Sequence, residues 1–390
     1  MKILIAPNSF KGTLSGPDAC AAMREGVQRA QPRAEITTLP MSDGGEGFLD
    51  CLVSAQGGEV HAHPAVDPRG REIRARLGMI ERGAVAVVEM AEASGLALVA
   101  PAERDPCAAS TLGTGLLLLA ALALGARRIV VGIGGSATVD CGMGIAVALG
   151  ARFLDALGKP LRPSGSAMAK VCAIDTAGLD PRLRDVTVTA ACDVRNPLVG
   201  PEGAARVFAP QKGAGEADVA RLEWGLENLA RLVARDVGVH IAALPRGGAG
   251  GGAAAGLAAF AGAMLRDGAE LAMQSCGFDD HSRSADLVLT GEGRLDHQSL
   301  AGKLPVAVAR RARGLDPAVP VIAICGSLEE GFAALADCPF SACFGLTDSA
   351  APGPSAAAGA AHRLADCTEQ VLRAIDIGRR LESARGGTRA

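Results

Sequence analysis

The chain of 390 residues has no tyrosine, a single tryptophan and only 3% aromatic residues. So few rings cannot form the stacking platforms that hold single-stranded nucleic acid, and no lysine or arginine run accompanies them. A net charge of −3 leaves no basic surface for a polyanion, so no nucleic-acid partner is expected. Lysine is scarce: the chain holds only Lys2, Lys11, Lys159, Lys170, Lys212 and Lys303. Long apolar runs are missing as well. The longest, GLLLLAALALGA at 115–126, falls short of the ~20 residues that cross a bilayer and reads as a core helix, so no membrane partner is expected. The eleven cysteines are odd in number and never spaced C-x-x-C. That argues against a disulfide framework or a zinc site and for reduced, buried thiols in a cytoplasmic protein. The opening MKILIAPNSF reads as a strand rather than a secretion signal.

What is present is apolar and punctuated. With 49% hydrophobic and 21% charged residues, the composition is that of a packed globular protein. The length suggests two or three domains of ~150 residues. Short apolar, often β-branched runs at 2–6, 35–39, 85–89, 128–133, 186–191, 286–290, 320–325 and 342–346 read as strands. Helical stretches fit between them, among them 17–30 with Ser15 as its cap, 45–56 and 356–375. The final ESARGGTRA reads as a frayed tail. Such alternation implies an α/β fold of parallel sheets with helices on both faces. Ligands then bind beyond the carboxyl ends of the strands.

Those ends carry the chemistry. PNSFKGT (7–13), PMSDGGEG (40–47), GGSATVDCG (134–142), CDVRNPLVGPEGAARVFAPQKGAG (192–215) and GEGRLD (291–296) each combine glycine with a carboxylate, amide or lysine. Three of the six lysines, Lys11, Lys212 and Lys303, stand beside a glycine in or next to these strings. A glycine turn opening a helix exposes N–H groups to anions, phosphates above all. In GGSAT, Gly134 and Gly135 allow close approach, while Ser136 and Thr138 add hydroxyls. Lysines would neutralise phosphate charge, and carboxylates could share Mg²⁺ with phosphate and water or take a proton from an attacking hydroxyl.

Two familiar motifs come close to these strings. The Walker A pattern fails at Gly302-Lys303, where His297 stands in place of the first glycine and Leu304 follows the lysine. GIGGSA (132–137) does match a dinucleotide fingerprint, with Asp155 placed to meet a ribose. The residues alone therefore leave open a phosphotransferase, an NAD(P)-linked oxidoreductase of small hydroxy acids, and a binding protein without turnover. No histidine in a strand-end motif supports hydride transfer, and mere binding would leave the carboxylates unexplained.

The strings taken together resemble the bacterial glycerate kinase family that acts on D-glycerate. The matching stretches are IAPNSFKGTLS (5–15), PMSDGGEGF (40–48), GIGGSATVDCGMG (132–144), ALGARFLD (148–155), ACDVRNPLVGPEGAARVFAPQKGA (191–214), GGGAAAGLAAFAGA (250–263) and DLVLTGEGRLDHQSLAGKLPVAVA (286–309). They follow one another in order over most of the chain. Asn8, Val139 and Cys141 stand where the family more often has Asp, Asn and Gly. The resemblance implies ATP- and Mg²⁺-dependent phosphorylation of D-glycerate, mostly at the 2-hydroxyl. It also implies two α/β domains with parallel or mixed sheets and the active site in the cleft between them. A flavodoxin-like domain (66–284) would be inserted into a restriction-endonuclease-like domain (1–65 with 285–390). The motifs 7–13, 40–47 and 290–303 would lie on the latter and 134–138 and 193–212 on the former. A two-lobed kinase of this kind should close on its substrates and exclude water.

Under that resemblance Asp193 or Asp296 is the base or metal carboxylate, with Glu292 and Asp43 next, and Asp43 and Asp193 are the metal candidates. Arg294 suits bidentate capture of the glycerate carboxylate. Lys11, Lys212 and Lys303 would neutralise phosphate, Asn196 would orient a hydroxyl or the metal, and Gly291 and Gly293 would keep backbone open to a ligand. Oligomeric state is not legible, and a homodimer is admitted.

Overall fold

The computed structural model describes residues 1–10, 12–346 and 354–386. Lys11 lies outside the described residues. The chain divides into two compact units, Met1–Ser42 with Ala272–Ala390, and Asp43–Leu271.

The first unit is built on a five-stranded, wholly parallel sheet in the order Ala342–Gly345, Val321–Cys325, Leu287–Thr290, Lys2–Ile5, Glu35–Thr38. LVLT and VIAIC are buried at every position, as expected of central parallel strands covered on both faces. The helix Gly16–Ala30 starts where Ser15 accepts the Asp18 N–H, with Pro17 in its first turn. It lies against the long helix Pro354–Gly386. Gly26 makes this closeness feasible, because a Cβ there would stand 2.2 Å from the Ala365 carbonyl oxygen. Ile3, Phe10, Met23, Leu289, Ile324 and Leu364 fill the core. The tail expected to fray at 382–390 is helical through Gly386.

The second unit holds a six-stranded mixed sheet in the order Met264–Asp267, Thr187–Cys192, Arg128–Gly132, Val85–Glu89, Glu72–Ile80, Gly58–Val66. The first three pairings are parallel. The last two are antiparallel, so this sheet is mixed, in line with the expected parallel or mixed sheets. The hairpin turns at Asp67, whose carboxylate accepts the N–H groups of Arg69 and Arg71 at 2.8 and 2.9 Å. Pro64 is tolerated because Gly58–Val66 is the edge strand. The apolar run at 115–126 forms most of the buried-faced helix Leu112–Ala123. Among the described residues no helix is long and apolar enough to cross a membrane.

The changeovers fall at 42/43 and 271/272 rather than near 65 and 284. The hairpin pairs into the second sheet, and the 43–47 loop is bound there too. Gly134 N–H donates to the Gly44 carbonyl at 2.8 Å. Gly47 and Leu49 N–H donate to the buried Glu89 carboxylate at 3.1 and 3.0 Å. The DGGEG stretch therefore belongs to the second unit, beside GGSAT, whereas 290–303 belongs to the first. The helix expected from 45 begins at Phe48, after Gly47 turns left-handed at φ 84°.

Candidate active site

In the first unit, three strand ends converge through main-chain bonds. Asn8 N–H donates to the Gly291 carbonyl at 2.8 Å, and Met41 N–H to the Pro7 carbonyl at 2.9 Å. The Thr290 hydroxyl donates to the Ala6 carbonyl at 2.8 Å. Gly291 is required by packing: a Cβ there would meet the Ile324 carbonyl oxygen at 1.9 Å. Gly293 accepts the Ser327 N–H at 2.9 Å, leading into the short pairing of Arg294–Leu295 with Ser327–Leu328. Gly291 thus answers first to the neighbouring strand.

The charges that follow do gather. Asp296 caps the turn His297–Ala301, accepting the Ser299 N–H and hydroxyl at 3.1 and 3.0 Å. Lys303 Nζ stands 3.5 Å from Asp296 Oδ1, 3.7 Å from Glu292 Oε1 and 3.4 Å from the Arg294 carbonyl. Arg294 Nε is 3.3 Å from Asp296 Oδ2, and its side chain is 67% exposed. Glu292 is 7% exposed. Partial burial raises the Asp296 proton affinity, but the Ser299 hydroxyl, the Lys303 charge and the Ser299 N–H outweigh it. The net result is a carboxyl below its ordinary range and firmly ionised.

In the second unit the ends of Arg128–Gly132 and Thr187–Cys192 carry the other set. No helix opens at GGSAT, since the next one is Met143–Ala148. The loop is instead laced to its surroundings. Gly134 N–H is spent on Gly44, Ala137 N–H on the Ser94 carbonyl, and the Gly135 carbonyl accepts Leu96 N–H. Gly135 takes a left-handed φ of 74°. The N–H groups of Gly135 and Ser136 meet no acceptor among the described residues, and the Thr138 hydroxyl is buried without a partner.

Lys212 lies beneath this loop, 3% exposed. Its ammonium donates to the Ser136 hydroxyl at 2.7 Å and to the Thr138 carbonyl at 2.8 Å. Burial pulls its proton affinity down to about 7, against the opposing pull of Asp140 and Asp193. Asp193 is exposed just past the strand end. Asn196 spends an amide N–H on the Glu202 carbonyl at 2.8 Å, bracing its own loop. Asp43 accepts Gly45 N–H at 3.3 Å.

The expected residues therefore fall into two groups. Glu292, Arg294, Asp296 and Lys303 meet in the first unit. Asp43, Ser136, Thr138, Asp193, Asn196 and Lys212 belong to the second. Three supporting residues were not anticipated. Asp140 is fully buried and accepts from Thr111 N–H and hydroxyl and from Gly142 and Gly144 N–H. Glu89 holds the 47–49 turn. Arg246, left-handed at φ 68°, donates to the Cys192 and Val194 carbonyls on either side of Asp193, at 3.3 and 3.4 Å, and pairs with Asp267 at 3.0 Å. The signal for the two acids was a lone carboxylate within an apolar or glycine-rich string.

The fingerprint reading of GIGGSA fails in this setting. It needs a strand, a turn and an immediate helix, and that helix is absent. Asp155 is occupied capping a turn through Leu157 and Lys159 N–H at 2.8 and 2.9 Å. An α/β protein with lysines, carboxylates and glycine loops at its strand ends has the parts of a phosphotransferase. The comparisons agree: the glycerate kinase family model matches residues 3–376, and the chain belongs to that family. It is 40% identical to the glycerate 2-kinase of Escherichia coli K12 over 97% of this chain and 99% of that one. It is 43% identical to a glycerate kinase of Halalkalibacterium halodurans, over 88% and 90% of the two chains. A crystal structure from Salmonella typhimurium LT2, described as a candidate glycerate kinase 2, superposes with a TM-score of 0.83 at 39% identity, covering 97% and 99%. The chain is a glycerate-phosphorylating enzyme, and the oxidoreductase alternative is set aside.

Proposed function

We propose that this enzyme transfers the γ-phosphoryl group of ATP to the 2-hydroxyl of D-glycerate, giving 2-phosphoglycerate. The observation that carries the assignment is the Glu292–Arg294–Asp296–Lys303 cluster. It sets a ready guanidinium and an ammonium beside fixed carboxylates at the end of a central strand. The 40% identity to a glycerate 2-kinase supports the choice of hydroxyl.

The residues fit the donor. The unspent Gly135 and Ser136 N–H groups and the partnerless Thr138 hydroxyl suit phosphate oxygens. Among the described residues no three acidic, histidine or cysteine side chains form a metal cage. Mg²⁺ usually takes one or two carboxylates and completes its shell with phosphate and water. Asp43 and Asp193 would be the candidate ligands, and the ion would neutralise charge on the phosphates.

The protein's own part is then to orient and to move one proton. Arg294 holds the glycerate carboxylate through its exposed fork, and Asp296 fixes that arginine. Lys303, and Lys11 beyond the described residues, offset charge on the transferred group. The 2-oxygen forms its bond to phosphorus as the bond to the ADP oxygen breaks, and the hydroxyl proton passes to Asp193. Asp296 is a poor acceptor, because Ser299 and two cations already hold its charge. Cytoplasmic residence, and a dimer if one forms, complete the reading.

The test is phosphorus NMR of the products from Mg-ATP and D-glycerate. A new phosphomonoester at the 2-position is expected. The 3-isomer would overturn the regiochemistry, and intact ATP with no phosphoester would overturn the assignment.

A further inference from the structure

A small cavity in the second unit, of about 50 Å³, is lined by Arg69, Glu103, Arg104, Asp105, Ala137 and Lys212 among others. Ala137 of the GGSAT loop and the buried Lys212 both line it. On this measure ~10–15 Å³ holds one water, so the space admits a group of a few heavy atoms.

The charges around it are unequally engaged. Glu103 is paired with Arg69 at 3.1 Å and with Arg71 at 3.2 Å. Asp105 turns its carboxylate to Cys107 and Ala108 N–H at 2.9 and 3.3 Å. Arg104 has no ion pair among the described residues, and its Nε is buried without an acceptor. Lys212 spends two donors on Ser136 and Thr138, and an ammonium has three. The two cations are held in register by Gly213, left-handed at φ 100°, where a Cβ would meet the Arg104 carbonyl oxygen at 2.5 Å. A buried guanidinium nitrogen without an acceptor is costly unless something supplies one.

We propose that this cavity is an oxyanion subsite, with Arg104 and Lys212 binding either the carboxylate of the acid substrate or a phosphoryl group. It rests on the kinase reading only for the name of its occupant, and a glycerate carboxylate bound here would replace the role given above to Arg294. Burial already weakens the hold of Lys212 on its proton, and an oxyanion beside it would restore that hold.

The experiment is thermal unfolding of the full chain with D-glycerate, or with inorganic phosphate, for the native protein and for Arg104→Gln and Arg104→Lys, alongside steady-state kinetics. A ligand that binds the folded state raises the melting temperature. Stabilisation by D-glycerate, lost in Arg104→Gln and partly kept in Arg104→Lys, assigns the carboxylate. The same pattern with phosphate assigns the phosphoryl group. In either case KM for the matching substrate rises ~10- to 100-fold, the scale of one charged hydrogen bond, with kcat little changed. Equal stabilisation of native and Gln proteins by both anions, with unaltered KM, overturns the proposal. If the native protein makes phosphoester while Arg104→Gln is indistinguishable from it, the cavity assignment fails and the kinase stands. If anions bind through Arg104 but no phosphoester forms, the reverse holds.

Discussion

The ammonium of Lys212 lies 2.7 Å from the Ser136 hydroxyl, joining positions 76 residues apart in the sequence. Through this contact and the Thr138 carbonyl, a buried charge underpins the glycine loop assigned to phosphate. The cost of burying it is visible in its proton affinity, lowered from 10.5 to about 7.

That lowering gives a pH signature. The folded state binds the Lys212 proton less tightly than the unfolded chain does. Its penalty is therefore fully present below pH 7 and is relieved as pH rises toward 10.5, so this residue makes stability climb over that window. Each tenfold change in proton affinity is worth about 1.4 kcal/mol. Lys212→Met should flatten the rise between pH 7 and 10 in denaturation curves, while lowering kcat through a loosened loop. Identical slopes in both proteins would mean that the lysine stays charged.

Asp193 and Asp296 should separate catalysis from stability. Asp193 is exposed beyond its strand, so Asp193→Ala should leave the melting curve within about 0.5 kcal/mol of native and cut kcat by ~10²–10⁴. Asp296 is also a cap and an ion-pair partner. Asp296→Ala should cost about 1 kcal/mol and raise KM for glycerate as Arg294 loses its anchor. Its lowered proton affinity means that its share of stability is present above pH 3.8 and is lost as pH falls further. Full activity in the Asp193 variant would remove it from the mechanism.

How much of this was readable follows from the range of each interaction. VAVVE at 85–89 and LVLT at 287–290 are largely apolar runs and were legible as strands. The hairpin Gly58–Val66 with Glu72–Ile80 was not: its edge strand is largely exposed, carries His61 and His63, and contains Pro64. The 292–303 cluster was legible because its members are sequence neighbours. Glu89 meets the 47–49 turn across about 40 positions and Arg246 meets Cys192 across 54, and no local pattern announces such partners. The placement of 43–47 was misjudged for the same reason, since it depends on Gly44 meeting Gly134.

Gly291 offers a test of packing against function. A methyl group there would collide with the Ile324 carbonyl at 1.9 Å, and backbone cannot yield as a side-chain tip can. Gly291→Ala should cost about 1–3 kcal/mol and displace Glu292 next to it. Denaturant melts should show the loss, and kcat should fall with it. A stable but inactive variant would mean instead that the glycine serves a ligand.

Glu89 carries the opposite pH signature to Lys212. Burial raises its carboxyl from 4.5 to about 7, although the Leu49 and Gly47 N–H groups pull it back. A raised folded value means that the protonated form stabilises the fold. That contribution is complete below pH 4.5 and is lost as pH rises through 7. Between these limits the native protein should lose stability relative to Glu89→Gln, which cannot titrate. The window lies wholly below that of Lys212, so the two residues can be resolved in one series of melts. Above pH 7 the ionised Glu89 still accepts both N–H groups, whereas a glutamine has one carbonyl oxygen for two donors. Glu89→Gln should therefore regain stability yet hold the 43–49 loop less well. The expected result is a higher KM for Mg-ATP at pH 8 with a melting temperature no lower than native. Parallel melting curves from pH 4.5 to 7 would show that Glu89 does not titrate there, and the loop's dependence on its charge would fall with it.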